Sequence, residues 1–197
     1  MDLNHLYTNV YRHWIDYLRN NLSDALKYHS VNHTLDVLEY CKQIAKAEGV
    51  DGEDLLLLKI AAVFHDSGFL ESPNEHEKRG CNIAEDYLAE RGLKNGQLQE
   101  IRQMIMATKI PQSPKSKLGE ILCDADLAYI GTDRYNDISS KLFEEITLLG
   151  SYLSEKEWIK LQISFLKQHN FFTSYAQRTF TKTKQKHIKT LEDQFNK

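Results

Sequence analysis

Between Leu55 and Phe64 the chain reads Leu-Leu-Leu-Leu-Lys-Ile-Ala-Ala-Val-Phe, and it passes at once into His65-Asp66-Ser67-Gly68. A helix over this run is apolar on nearly every side, so it belongs in the middle of an all-helical domain, wrapped by other helices. The two polar residues at its end are costly in such a place, because buried charges are paired or bind metals. An ordinary buried hydrogen bond also accommodates the pair taken alone. Gly68 is placed to stop the helix.

The rest of the sequence supplies the surrounding helices. Leu3, Leu6, Tyr7, Val10, Tyr11, Trp14, Ile15 and Leu18 recur at intervals of three and four, predicting an amphipathic helix that ends near Asn21. A second helix starts after Ser30 or Asn32 and stops at Gly49. Asn74 is a candidate cap for a helix with Cys81, Ile83, Ala84, Tyr87 and Leu88 on its inner face, and another helix must end before Pro111. Leu118 to Ile130 reads as one helix in which Asp124 and Asp126 are set among apolar residues. Tyr135 to Leu149 follows, and Ser154-Glu155-Lys156-Glu157 has the order of a capping box. The stretch 174–196 has weaker periodicity, and its lysines at 182, 184, 186 and 189 read as a solvated face. No strand pattern, repeat or linker competes, so the expectation is an all-α single domain over residues 1–197.

Acidic residues outnumber basic ones by 28 to 25, which gives no general attraction to nucleic acid or anionic membranes. Cys41, Cys81 and Cys123 are too few and too dispersed for a disulfide framework. With no basic-then-apolar start and no run of membrane-spanning length, the expectation is a soluble, unprocessed cytoplasmic protein.

Three stretches carry the candidate chemistry. His33 lies in the first turn of its helix, anchored by Leu35, Val37 and Leu38. His65 and Asp66 are adjacent, about 100° apart on a helix, so one cation can be touched by both. Asp126, or failing that Asp124, supplies a second carboxylate. Two imidazoles and two carboxylates suit a divalent ion while leaving positions open. Singly, His33 also reads as a surface histidine and either aspartate as a backbone-bonding carboxylate.

Together these stretches resemble the HD-domain superfamily of metal-dependent phosphohydrolases, and most closely its small bacterial predicted hydrolases. The resemblance rests on Tyr28-His29...His33-Thr34-Leu35-Asp36-Val37, Phe64-His65-Asp66-Ser67-Gly68-Phe69 and Ile121-Leu122-Cys123-Asp124-Ala125-Asp126-Leu127. It implies an HD-type helical bundle over roughly residues 25 to 170 with additional C-terminal helices, the last at about 174–196. It also implies that His33, His65, Asp66 and Asp126 are metal ligands, with Asp126 preferred to Asp124 for its Ala125-Asp126-Leu127 context. His76 is the counterpart of a histidine that meets phosphate or a second metal, although it also reads as a solvated residue at a helix start. Lys109 stands where two-metal members carry a histidine, which favours one ion here with Lys109 as a phosphate contact.

The function implied is hydrolysis of a small phosphorylated compound, foremost a nucleotide, with manganese, iron, nickel, zinc or magnesium as the ion. Asp66, His76 and Lys109 are the candidate catalytic residues, with Arg79 and Arg134 as further candidate cations. A metal-stabilised nucleotide- or signal-binding module and an iron-dependent HD-type oxygenase are the alternatives, and an oligomer is compatible with the aromatic-rich ends.

Overall fold

The structure, a computed structural model, describes residues 2–196. Among these residues there are nine α-helices and no strand. They are α1 (Leu3–Asn21), α2 (Val31–Ala47), α3 (Gly52–Phe64), α4 (His76–Ala89), α5 (Asn95–Ala107), α6 (Lys117–Asp126), α7 (Tyr135–Leu148), α8 (Glu155–Gln168) and α9 (Ser174–Phe195). Among the described residues, no helix is long and apolar enough to cross a membrane.

The apolar run forms α3, and every residue from Ile60 to Phe64 is fully buried. Helices α1, α2, α4, α5 and α6 pack around it. Each large side chain buried there contributes on the order of 1.5–3 kcal/mol, enough to hold a helix rich in residues of indifferent helix propensity such as Val63 and Phe64. A second apolar cluster joins Tyr28 and Leu127–Ile130 to α7, α8 and α9 through Tyr135, Leu166, Phe171 and Phe180.

Several local expectations are corrected. Helix α3 stops at Phe64, and a short 3-10 turn spans Ser67–Leu70, with Gly68 inside it rather than at a helix stop. Gly68 is demanded by packing instead, since a Cβ there would lie 2.0 Å from the His76 carbonyl oxygen. Asn74 does not cap α4. The chain turns into that helix at Glu75, whose φ of 53° puts it in the left-handed region.

The segment read as one helix to Ile130 divides at Asp126. Leu127 N–H still bonds back four residues to Cys123, but Ile130 N–H bonds back only three, to Leu127, and Ala128–Gly131 form a 3-10 turn. Lys184 is not part of a solvated face. It is buried, and its ammonium donates to the His169 carbonyl, while Lys182, Lys186 and Lys189 are exposed. The capping box forms, with Ser154 N–H donating to Glu157 Oε2 at 2.8 Å and Glu157 N–H to Ser154 Oγ at 3.3 Å.

Candidate metal centre

The first turn of α2, the end of α3 and the last residue of α6 meet at one point. His33 Nε2 lies 3.1 Å from Asp126 Oδ1, 3.3 Å from Asp66 Oδ2 and 3.4 Å from His65 Nε2. His65 Nε2 lies 3.1 Å from Asp66 Oδ2 and 3.7 Å from Asp126 Oδ1. Its other ring nitrogen, Nδ1, donates to the Ala62 carbonyl at 2.8 Å, which leaves Nε2 with its lone pair toward the cluster. Asp66 Oδ2 is buried and lacks hydrogen-bond geometry to any group, although two imidazole nitrogens lie close to it. His33 Nε2 is within hydrogen-bond reach of Asp126 Oδ1, but a carboxylate oxygen left unpartnered between two imidazoles fits a shared cation better than a closed hydrogen-bonded network.

The electrostatics agree. Burial opposes the charged form of every member, yet the two carboxylates raise His33 to about 9 and His65 well above its ordinary value. Against burial, the imidazoles hold Asp126 down to about 2 and Asp66 well below the usual carboxylate range. Two buried carboxylates demand two positive charges, and either two imidazolium protons or one divalent cation supplies them. His33, His65 and Asp66 by themselves already satisfy the spacing of a metal-binding trio.

Asp124 is fully buried but points elsewhere. Its carboxylate accepts from Phe172 N–H at 2.9 Å and Thr173 N–H at 2.7 Å, tying α6 to the connection between α8 and α9. His76 stands beside the centre, its Nε2 3.7 Å from Asp66 Oδ1 and 3.4 Å from Glu77 Oε1. Lys109 is not brought to the cluster. Thr108 turns inward, its hydroxyl bonded to the Ile105 carbonyl, and it lines the adjacent cavity together with Ile110, while Lys109 is exposed. Arg79 bonds Glu71 and the Asn74 carbonyl, and Arg134 pairs with Asp36 at 2.8 Å, so both are anchored away from the centre.

Three residues that the sequence reading left without a role complete the surroundings. Gln112 donates to the Cys123 carbonyl at 3.1 Å and reaches Asp126 Oδ2 at 3.5 Å. His29, stacked on Phe69 with ring centroids 4.0 Å apart, is bonded through Nδ1 to Glu145 of α7. The other oxygen of Glu145 accepts from the N–H groups of Tyr28 and His29, and burial raises this carboxyl less than those partners lower it. The signal for His29 was its place four residues before His33; Glu145, beside Glu144 on a helix, carried none.

His29, His76, Asp66 and Asp126 open onto a cavity of about 350 Å³, whose opposite wall comes from the turn after α6 and from α7 and α8. This is a small-ligand volume.

The chain is similar to the crystal structure of a predicted HD superfamily hydrolase from an uncultured Thermotogales bacterium, at 22% identity over 98% of this chain and 97% of that one, with a TM-score of 0.64, a likeness of fold. No curated protein matches it. The family model for the HD domain matches residues 30–128, half of the chain and the half that holds His33, His65, Asp66 and Asp126. The chain belongs to the HD-domain family.

Proposed function

We propose that this protein is a metal-dependent phosphohydrolase that acts on a small phosphorylated compound. The observation that carries the reading is the convergence of His33 Nε2, His65 Nε2, Asp66 Oδ2 and Asp126 Oδ1, with Asp66 and Asp126 lining a ligand-sized cavity. These four side chains would hold one divalent ion. When bound, such an ion supplies electrophilic assistance at a phosphoryl oxygen and a water of lowered pKa.

The chain's own groups account for the rest. Asp66 Oδ1 faces His76 rather than the cluster and accepts a hydrogen bond from the incoming water, while His76 offsets charge on the phosphoryl oxygens. Glu145 fixes His29 by its Nδ1, so Nε2 is the ring nitrogen available to the cavity, where it donates a proton to the departing oxygen. The apolar surroundings exclude competing water and strengthen each of these contacts.

The test is phosphate or pyrophosphate release from a panel of nucleotides and phosphomonoesters, with metal-stripped protein reloaded with manganese and Asp66→Ala as control. Release that needs both manganese and Asp66 is the expected result. Stoichiometric metal binding with no release from any compound would replace the hydrolase by a metal-stabilised binding module.

A further inference from the structure

We propose, resting on the phosphohydrolase reading above, that the substrate is a phosphomonoester with a single phosphoryl group and an uncharged, apolar organic part seated between α7 and α8. Three observations lead there. The first is the wall facing the metal centre: Leu127, Leu142, Trp158, Leu161 and Phe165 present hydrocarbon to the cavity. An organic group lying on that wall is held by surface removed from water rather than by directional bonds.

The second is the supply of positive charge. No lysine or arginine is among the described residues lining the cavity, which instead carries three carboxylates, Asp66, Glu77 and Asp126. One divalent ion balances Asp66 and Asp126, and Glu77 lies 3.4 Å from His76. Arg79 and Arg134 are bound to Glu71 and Asp36. The ion's open positions and His76 are what is left to meet phosphoryl oxygens, a set that fits one phosphoryl group better than three. The second and third phosphates of a nucleoside triphosphate would enter the apolar part of the cavity without compensation.

The third is how the wall's polar groups are used. Tyr135 OH and Ser139 Oγ both donate to Gln162 Oε1, so the protons of these two hydroxyls are already committed. Sugar or glycerol hydroxyls buried there would lose water without gaining an equal set of partners. The reaction balances simply: the water oxygen bonds to phosphorus, the ester P–O bond breaks, and the alcohol oxygen leaves with the proton from His29, which the water's proton restores.

The experiment compares kcat/KM of the manganese-loaded full chain for ethyl, butyl and hexyl phosphate, phenyl and 2-naphthyl phosphate, glycerol phosphate, and thymidine mono- and triphosphate. The expected result is a rise of about fourfold per methylene along the alkyl series, with glycerol phosphate and thymidine triphosphate at least about tenfold below hexyl phosphate. Leu161→Asn, at a half-exposed position where folding is not at stake, should cut the hexyl-to-ethyl ratio about threefold or more.

A second readout does not need turnover. The chain has two tryptophans, Trp158 on this wall and Trp14 in the core around α3. In Trp14→Phe protein, hexylphosphonate should therefore change Trp158 fluorescence saturably, at concentrations at least tenfold below those needed for ethylphosphonate. Turnover with a flat series, or with the triphosphate preferred, overturns this proposal and leaves the hydrolase intact. No turnover of any ester removes the hydrolase, and the phosphonate titration then decides the wall by itself: equal binding of the two phosphonates refutes it.

Discussion

Asp124 and Asp126 are two residues apart on one helix, both among apolar neighbours, and their surroundings assign them different work. Asp124 accepts two backbone N–H groups, and the loss of that pairing leaves buried donors unmet at roughly 1–3 kcal/mol. Asp124→Ala should therefore lower the unfolding free energy by that order, read from urea denaturation, while manganese still binds one per chain. Asp126→Asn should instead lose the ion, as read by equilibrium dialysis. His29 gives a third outcome at this scale. Because its proton is needed only by a poor leaving group, His29→Gln should reduce kcat/KM for alkyl phosphates by about 10²–10⁴-fold and leave p-nitrophenyl phosphate much less affected.

At the scale of elements, α9 is locked by two contacts. One is its approach to Gly131, where a Cβ would lie 2.3 Å from Phe180 Cβ and 2.7 Å from Phe180 Cα. Backbone cannot move aside as a side chain does, so Gly131→Ala should cost about 1–3 kcal/mol, measured by chemical denaturation. The other is the junction of Lys184 with the end of α8, beside which His169 has both ring nitrogens buried without partners. Burial, and then the charge of Lys184, push His169 down from 6.5 to about 4. The unfolded chain therefore binds the extra proton first. Stability from this group is complete above pH 6.5 and declines as pH falls toward 4, by up to about 3 kcal/mol; His169→Phe should flatten the stability curve in that window. Neither contact was legible in the sequence. Lys184 sits in a run of otherwise exposed lysines, and the need for Gly131 arises from a helix nearly fifty residues later. Periodicity did reveal α1, and Ser154-Glu157 revealed the start of α8, because those signals are local.

Across the whole molecule, the four clustered side chains come from α2, the residues just past α3, and α6, so an ion held by them ties three helices of one core. Manganese at about a hundred times its Kd should raise the unfolding free energy by about 2.7 kcal/mol, seen as a higher Tm than in chelator, and Asp66→Ala should abolish the difference. His65 and Asp66 stood out in advance as polar residues in an apolar segment, but that signal marked Asp124 as much as Asp126, and the preference for Asp126 came from the family resemblance. The His29–Glu145 contact did not stand out, since it joins positions 116 apart and nothing near Glu145 distinguishes it from a solvated carboxylate. The order of residues along the chain has a further consequence. Every member of the cluster precedes Leu127, and the apolar wall that faces it begins there and runs to Phe165. On the proposed function, the metal-holding residues and the apolar wall are thus written in successive lengths of the polypeptide, with Glu145, which fixes His29, reaching back from the later one. Such a chain can acquire a new preference by substitution or grafting within the later length, with the earlier one inherited unchanged.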